Sequence, residues 1–164
     1  MLTNRNSESN LIALRCWAFR IGFTTAWAGW MALIFYLSSL PEEQVSRVGP
    51  YDAEAVAKLG SMRSILAHLA LFGILASFIQ ASLWSWTTFT NHSLPLALAA
   101  IILAALYGVS DEIHQSFVAG RYMTASDILA NTSGAVIAVA TLQLMMKAAF
   151  HSSISPFKLT PSKA

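Results

Sequence analysis

The chain has 164 residues, of which 55% are hydrophobic and only 11% charged, with a formal net charge of +2. A soluble domain of ordinary composition is excluded, because only about 45–50% of an average domain is apolar and about a quarter of it is charged. The small net charge, with no basic stripe interleaved with aromatics, argues against a nucleic-acid partner.

Taken in chain order, residues 1–20 read as an N-terminal tail carrying Arg5, Arg15 and Arg20. The first apolar stretch follows, from Ile21 to Leu40. A hydrocarbon core about 30 Å thick needs roughly 17 to 25 apolar residues in a helix. Three later stretches also meet that length: Ile65 to Leu83, Leu94 to Ser110 and Ala125 to Met146. None has a Lys or Arg inside its apolar run, and helices satisfy their own backbone groups in lipid. Alternation at period two is absent, which argues against a barrel. The first stretch is longer than a usual secretory signal core and no small-x-small cleavage site follows it, so it reads as a retained span. The single cysteine, Cys16, has no intrachain disulfide partner.

The connections carry their own signals. Ser39 and Glu42 have capping-box spacing and would open an external helix after Pro41. Within the same connection, "YDAEAVAKLG" reads as a short surface helix capped by Asp52 and stopped by Gly60. Ser93 before Pro95 suits the start of the third span. "TASD" has capping-box form, with Thr124 as N-cap and Asp127 reaching back; that pattern alone accounts for an acid at 127. Residues 21–147 thus form one four-helix transmembrane domain, followed by a tail over 148–164. The fold class is all-α: a polytopic integral membrane bundle with a short external helix between spans one and two.

Orientation follows from Lys and Arg in the short connections. Arg5, Arg15 and Arg20 precede span one, and Lys147, Lys158 and Lys163 follow span four, which directs both termini to the cytoplasm. The connection from Trp84 to Ser93 is uncharged, whereas the other two hold Arg47, Lys58, Arg63 and Arg121 with most of the acids. Trp17, Tyr36, Trp84 and Trp86 fit interfacial anchoring. In this topology the unusual polar groups, in "FYLSSLPEEQ", "MRSILAHLALF", "SDEIHQ" and "SDILANTSG", all meet at the outward face.

Small residues recur every four positions at Gly73, Ser77 and Ala81, at Ala100, Ala104 and Gly108, and at Ala130, Gly134 and Ala138, marking faces where helices approach closely in lipid. If span three stays helical to Gln115, a rotation of about 100° per residue puts Asp111, Glu112 and Gln115 within about 60° of Gly108. Asp127 and Asn131 share a face with Gly134 on span four. An acid facing lipid at a helix centre costs about 2.5 to 3.5 kcal/mol, so these groups are expected to turn inward, toward Arg121, Arg63 or His68. Adjacent acids at the negative pole of a helix dipole are not what an ordinary helix end requires.

The stretch "YGVSDEIHQSFVAGRYMTASDILANTSGAVIA", with its D-E-x-H-Q, following Arg and D-x-x-x-N-x-x-G, resembles the signature of the VanZ-like family of bacterial membrane proteins. "SSLP" at the end of span one, and His68 followed by Phe72, add to the resemblance. It implies a four-helix protein of the bacterial cytoplasmic (inner) membrane. The family's namesake is associated with resistance to teicoplanin, a glycopeptide antibiotic that carries a fatty acyl chain. Members often have a Lys three residues before the span-two histidine; this chain has Ile65 there, with Arg63 the nearest cation.

Three function classes follow. In the first, an outward cleft binds a membrane lipid or lipid-linked small molecule, a lipidic envelope compound or a lipoglycopeptide, through Gln115, Arg121, His68, Asp127 and Asn131. In the second, a membrane-embedded enzyme acts on a lipid-linked substrate, with Glu112 and Asp111 as general acid and base and His114 or His68 as proton shuttle. In the third, the bundle is a structural partner of other envelope proteins, and Asn131 is interhelical glue. No cofactor motif is present. Asp111, Glu112, His114, His68 and Asp127 offer oxygen and nitrogen donors, but their spacing matches no zinc pattern, and no metal is assigned from sequence.

Overall fold

The computed structural model describes residues 2–46, 53–87 and 94–154, and all regular structure among them is helical. In order these are α1 (Leu2–Ser38), α2 (Glu42–Ser46), α3 (Ala53–Trp86), α4 (Leu94–Gln115) and α5 (Ala125–Ile154). Within the four long helices, Ala13–Ser38, Met62–Trp86, Leu94–Gln115 and Ala125–Ala148 are long and apolar enough to cross a membrane. The expected four-helix bundle is therefore present, and α4 does remain helical through Gln115.

The first connection differs from expectation in detail. Gly60 does not stop a helix: α3 runs unbroken from Ala53 through it. A glycine inside a helix costs only about 1 kcal/mol relative to alanine, less than the gain from continuing into a long apolar helix. The expected surface helix over "YDAEAVAKLG" is thus the beginning of α3, while the short external helix is α2, directly after Pro41. Ser39 does not cap α2. Its hydroxyl donates to Phe35 O (2.7 Å) on α1, and Gln44 N donates to Pro41 O (2.9 Å). Asp52 and Ser93, expected as caps, lie outside the described residues.

α3 is the central helix, touching α1, α4 and α5, and its contact with α5 is the most extensive. The small-residue ridges explain that closeness. A Cβ built on Gly134 would meet the Leu69 carbonyl oxygen and sit 2.8 Å from Leu69 Cα, so only glycine lets α5 lie against the α3 backbone. Around this contact Phe72, Leu75 and Ala76 of α3, Ala100 and Ala104 of α4, and Ala135 of α5 are completely buried. Outward, residues such as Phe35, Leu98, Ile102, Leu106 and Ile137 are exposed, as an exterior solvated by acyl chains requires.

Side-chain donors tie α1 to the core. Trp30 Nε1 donates to Leu71 O (2.9 Å) on α3, and Tyr107 OH of α4 donates to Met31 O (2.7 Å). At the end of the bundle where α3 terminates, Arg20 Nε donates to Ser85 O (2.8 Å), and its guanidinium lies over the rings of Trp17 and Trp86. Those rings meet edge to face at 5.7 Å. A cation bonded to a carbonyl at the C-terminus of α3 is favoured by the helix dipole, and the paired indoles mark this as an interfacial belt. The polar segments gather at the opposite end, where α1 and α4 finish and α5 begins.

Candidate functional site

At that polar end the buried stripe of α4 continues from Ala97, Ala100, Ala104 and Gly108 into Asp111, Glu112 and Gln115. Glu112 is fully buried, and Asp111 and Gln115 are nearly so. The inward orientation expected from helical rotation is observed. Gln115 Nε2 donates to Asp111 Oδ2 (2.8 Å) and, more weakly, to Glu112 Oε1 (3.4 Å), while its own Oε1 accepts from Arg121 Nη2. The amide therefore stands between the guanidinium and the two acids, accepting from one and donating to the others. Gly120 makes the turn that brings Arg121 back: its φ of +78° is a left-handed conformation that glycine adopts at no cost.

The start of α5 is only half the expected capping box. Asp127 N donates to Thr124 Oγ1 (3.2 Å), the ordinary N-cap bond. The reciprocal bond goes elsewhere: Thr124 N donates to Glu112 Oε2 (3.2 Å) of α4. Glu112 thus does what Asp127 was expected to do, and the Asp127 carboxylate lies toward His68 of α3, with Oδ2 4.0 Å from Nε2.

His68 is buried between α4 and α5. Its Nδ1 is 2.9 Å from Asn131 Oδ1 and 3.9 Å from Glu112 Oε1, and its ring stacks beside Phe72. A carbonyl oxygen only accepts, so Nδ1 carries the proton. Asn131 reaches this position because Gly108 has no side chain; a Cβ there would sit 3.0 Å from Asn131 Cβ and Nδ2.

Seven sequence candidates, Asp111, Glu112, Gln115, Arg121, His68, Asp127 and Asn131, are therefore linked through one set of contacts. His114 stands apart. It lies on the α1 side of α4, its Nε2 3.0 Å from Ser39 Oγ and its ring stacked on Phe35 at 4.4 Å. Since the Ser39 hydroxyl already donates to Phe35 O, it accepts from the imidazole, and the pair is not arranged as a base and nucleophile. Arg63 is half-buried on α3, before His68 in the chain.

Two features escaped the sequence reading. Glu112 as the acceptor of the Thr124 N–H had no local signal, because the two residues belong to different helical segments. Tyr107 did carry one: a phenol inside an apolar run needs a partner for its hydroxyl. One turn below Asp111, it borders an apolar cavity of about 180 Å³ lined also by Trp27, Met31, Ile79, Leu83 and Leu103, with Ser82 as its other polar neighbour.

Compared with known families, the VanZ/LLP1 profile matches residues 23–146, well over half of the chain. The chain belongs to the VanZ/LLP1 family. Every residue of the linked polar cluster lies inside the matched region, as does the apolar cavity. No curated protein matches the chain, and no solved structure does. For this VanZ/LLP1 member the site chemistry therefore rests on its own atoms: three buried or half-buried carboxyl groups, an imidazole bonded through Nδ1 to an amide oxygen, and a guanidinium held by a second amide. Among the described residues, one ligand atom each from His68, Glu112 and Asp127 fall within 4.8 Å of one another, a grouping that could hold a cation.

Proposed function

We propose that this VanZ/LLP1 protein binds an acylated amphiphile, a lipidic envelope compound or a lipoglycopeptide of the teicoplanin type, and so contributes to glycopeptide resistance. The observation that carries the reading is the stacking of two unlike environments. A polar cluster at the helix ends lies one turn of α4 above an apolar cavity between α1, α3 and α4, with Tyr107 at the boundary. The cavity is smaller than the roughly 300 to 1,000 Å³ of a whole-ligand pocket, which suits a segment of acyl chain better than a head group. Arg121 supplies the donors for a phosphate or carboxylate, and Gln115, Asp111 and Glu112 supply hydrogen-bond partners for hydroxyls and amides. The lysine and arginine distribution supports an orientation with this end out of the cytoplasm and both termini inside, and the family resemblance implies the bacterial inner membrane.

Native mass spectrometry of the detergent-purified protein, with resistance measured in parallel, tests the reading. Arg121→Ala and Glu112→Gln are expected to lose a co-purified acylated ligand and the resistance phenotype at normal membrane abundance. Unchanged ligand and phenotype in both variants overturn it. Loss of abundance in both points instead to a structural role.

The adjacent, buried Asp111 and Glu112 also favour a second reading, a membrane-embedded enzyme on a lipid-linked substrate. Among the described residues Asp111 Oδ1 has no hydrogen-bond partner, as a group awaiting a substrate proton would. Turnover of the bound lipid by the purified protein, abolished in Glu112→Gln, separates this reading from binding alone.

A further inference from the structure

We propose that His68, Glu112 and Asp127 form a binding site for one divalent transition cation of the zinc or manganese type. The inference stands on the geometry of these three residues and does not depend on the lipid-binding reading.

Three helices each deliver one donor: His68 from α3, Glu112 from α4 and Asp127 from α5, with ligand atoms that all fall within 4.8 Å of one another. With Nδ1–H bonded to Asn131 Oδ1, it is Nε2 that faces Asp127 Oδ2, at 4.0 Å. Between a ring nitrogen and a carboxylate so placed a positive charge is favoured, either a proton on Nε2 or a cation held by both. A ligating histidine whose other nitrogen donates to a carbonyl is the arrangement that fixes tautomer and ring at a metal.

The carboxylates keep capacity for a further partner. Glu112 takes the Thr124 N–H on Oε2 and only a long bond from Gln115 Nε2 (3.4 Å) on Oε1, which lies 3.9 Å from His68 Nδ1. Because Glu112 takes that N–H, the Asp127 side chain is not consumed by capping. Unsatisfied polar atoms belong to residues in contact with the trio: among the described residues, fully buried Asn131, whose Oδ1 bonds the His68 ring, leaves Nδ2 with no partner, and Asp111, 4% exposed and adjacent to Glu112 in the chain, leaves Oδ1 with none. An amide N–H and a carboxylate oxygen are what a water on the cation would bond.

Metal bonds of about 2.1 Å in a tetrahedron place ligand atoms about 3.4 Å apart, so the His68–Asp127 edge of 4.0 Å must close by about 0.6 Å and any edge by at most about 1.4 Å. Asp127, 15% exposed and in the first turn of α5, is the member able to move. An imidazole with two carboxylates suits zinc or manganese, whereas magnesium and calcium prefer oxygen alone. Three protein ligands leave the next coordination position for water or an anionic head group.

The test uses the full-length chain in detergent, stripped with a chelator, titrated with zinc, manganese or magnesium, desalted and assayed for metal. One equivalent of zinc or manganese retained per chain is expected, with no magnesium, and a melting temperature raised by loading. Asp127→Asn and His68→Gln are each expected to weaken retention by about tenfold or more and to remove the melting shift. Cobalt substitution in the unaltered chain provides a readout that does not rely on variants folding: an intense visible absorption of tetrahedral type is expected. Trace retention only, retention indifferent to both variants, or nitrogen NMR showing both His68 ring nitrogens protonated overturns the proposal, the last by making a proton the cation between the groups.

Discussion

Gly134 and Gly22 both lie within long helices, yet a methyl group meets opposite surroundings at the two positions. At 134 it would strike the Leu69 backbone, with Leu69 Cα 2.8 Å away, and a backbone cannot swing aside as a side chain can. At 22 nothing lies within 4 Å. Gly134→Ala is therefore expected to destabilise the bundle by about 2 to 3 kcal/mol through overpacking. Gly22→Ala should leave stability unchanged or raise it by up to about 1 kcal/mol through helix propensity. Unfolding of the two purified variants in increasing denaturing detergent checks the order, and equal midpoints would show that α3 and α5 do not touch as closely as described. The four-residue spacing of small residues was readable in the sequence. Which member of a ridge admits no methyl was not, because that depends on the register of α5 against α3. The same limit applies to Thr124, whose N–H seemed committed to Asp127 until Glu112 arrived from α4.

At the level of elements, local periodicity settled most of what mattered for α4. The rotation that carried Asp111, Glu112 and Gln115 to the face of Gly108 needed only the helix to persist past Ser110, and it does. His114 illustrates what periodicity omits: it points toward α1, and its contacts with Ser39 and Phe35 depend on a neighbour the local sequence does not name. Gly60 was overread, since a helix with an apolar continuation tolerates one glycine. The tie between α4 and α1 yields a further prediction. Tyr107→Phe removes the hydroxyl that bonds Met31 O but leaves the ring against Phe72, so the helices should stay in place. Interhelical side-chain bonds of this kind in membranes contribute about 0.6 kcal/mol on average. The variant is expected to unfold earlier by that small amount in the same detergent titration. A loss of several kcal/mol would mean that the phenol holds more of the bundle than this one contact.

For the whole molecule, the two ends are chemically unlike, and each long helix runs from one to the other. Arg20, bonded to Ser85 O between Trp17 and Trp86, marks one membrane boundary. From Ile21 to Ser38, α1 then covers about 27 Å at 1.5 Å per residue, close to the thickness of the hydrocarbon core. Ser38 and its neighbours at the polar end consequently reach the other boundary. Cys16, the only native thiol, lies one turn beyond Arg20 and is exposed. Ser116, exposed after α4, lies at the opposite end. The charge distribution turns this separation into a prediction about orientation. In intact cells with a permeabilised outer membrane, an impermeant maleimide should label Ser116→Cys in a Cys16→Ser background. Native Cys16 should react only once the inner membrane is opened. The reverse pattern would place the carboxylates on the cytoplasmic side. That outcome would remove extracytoplasmic lipid recognition as a function while leaving the bundle, and the convergence of His68, Glu112 and Asp127, unaffected.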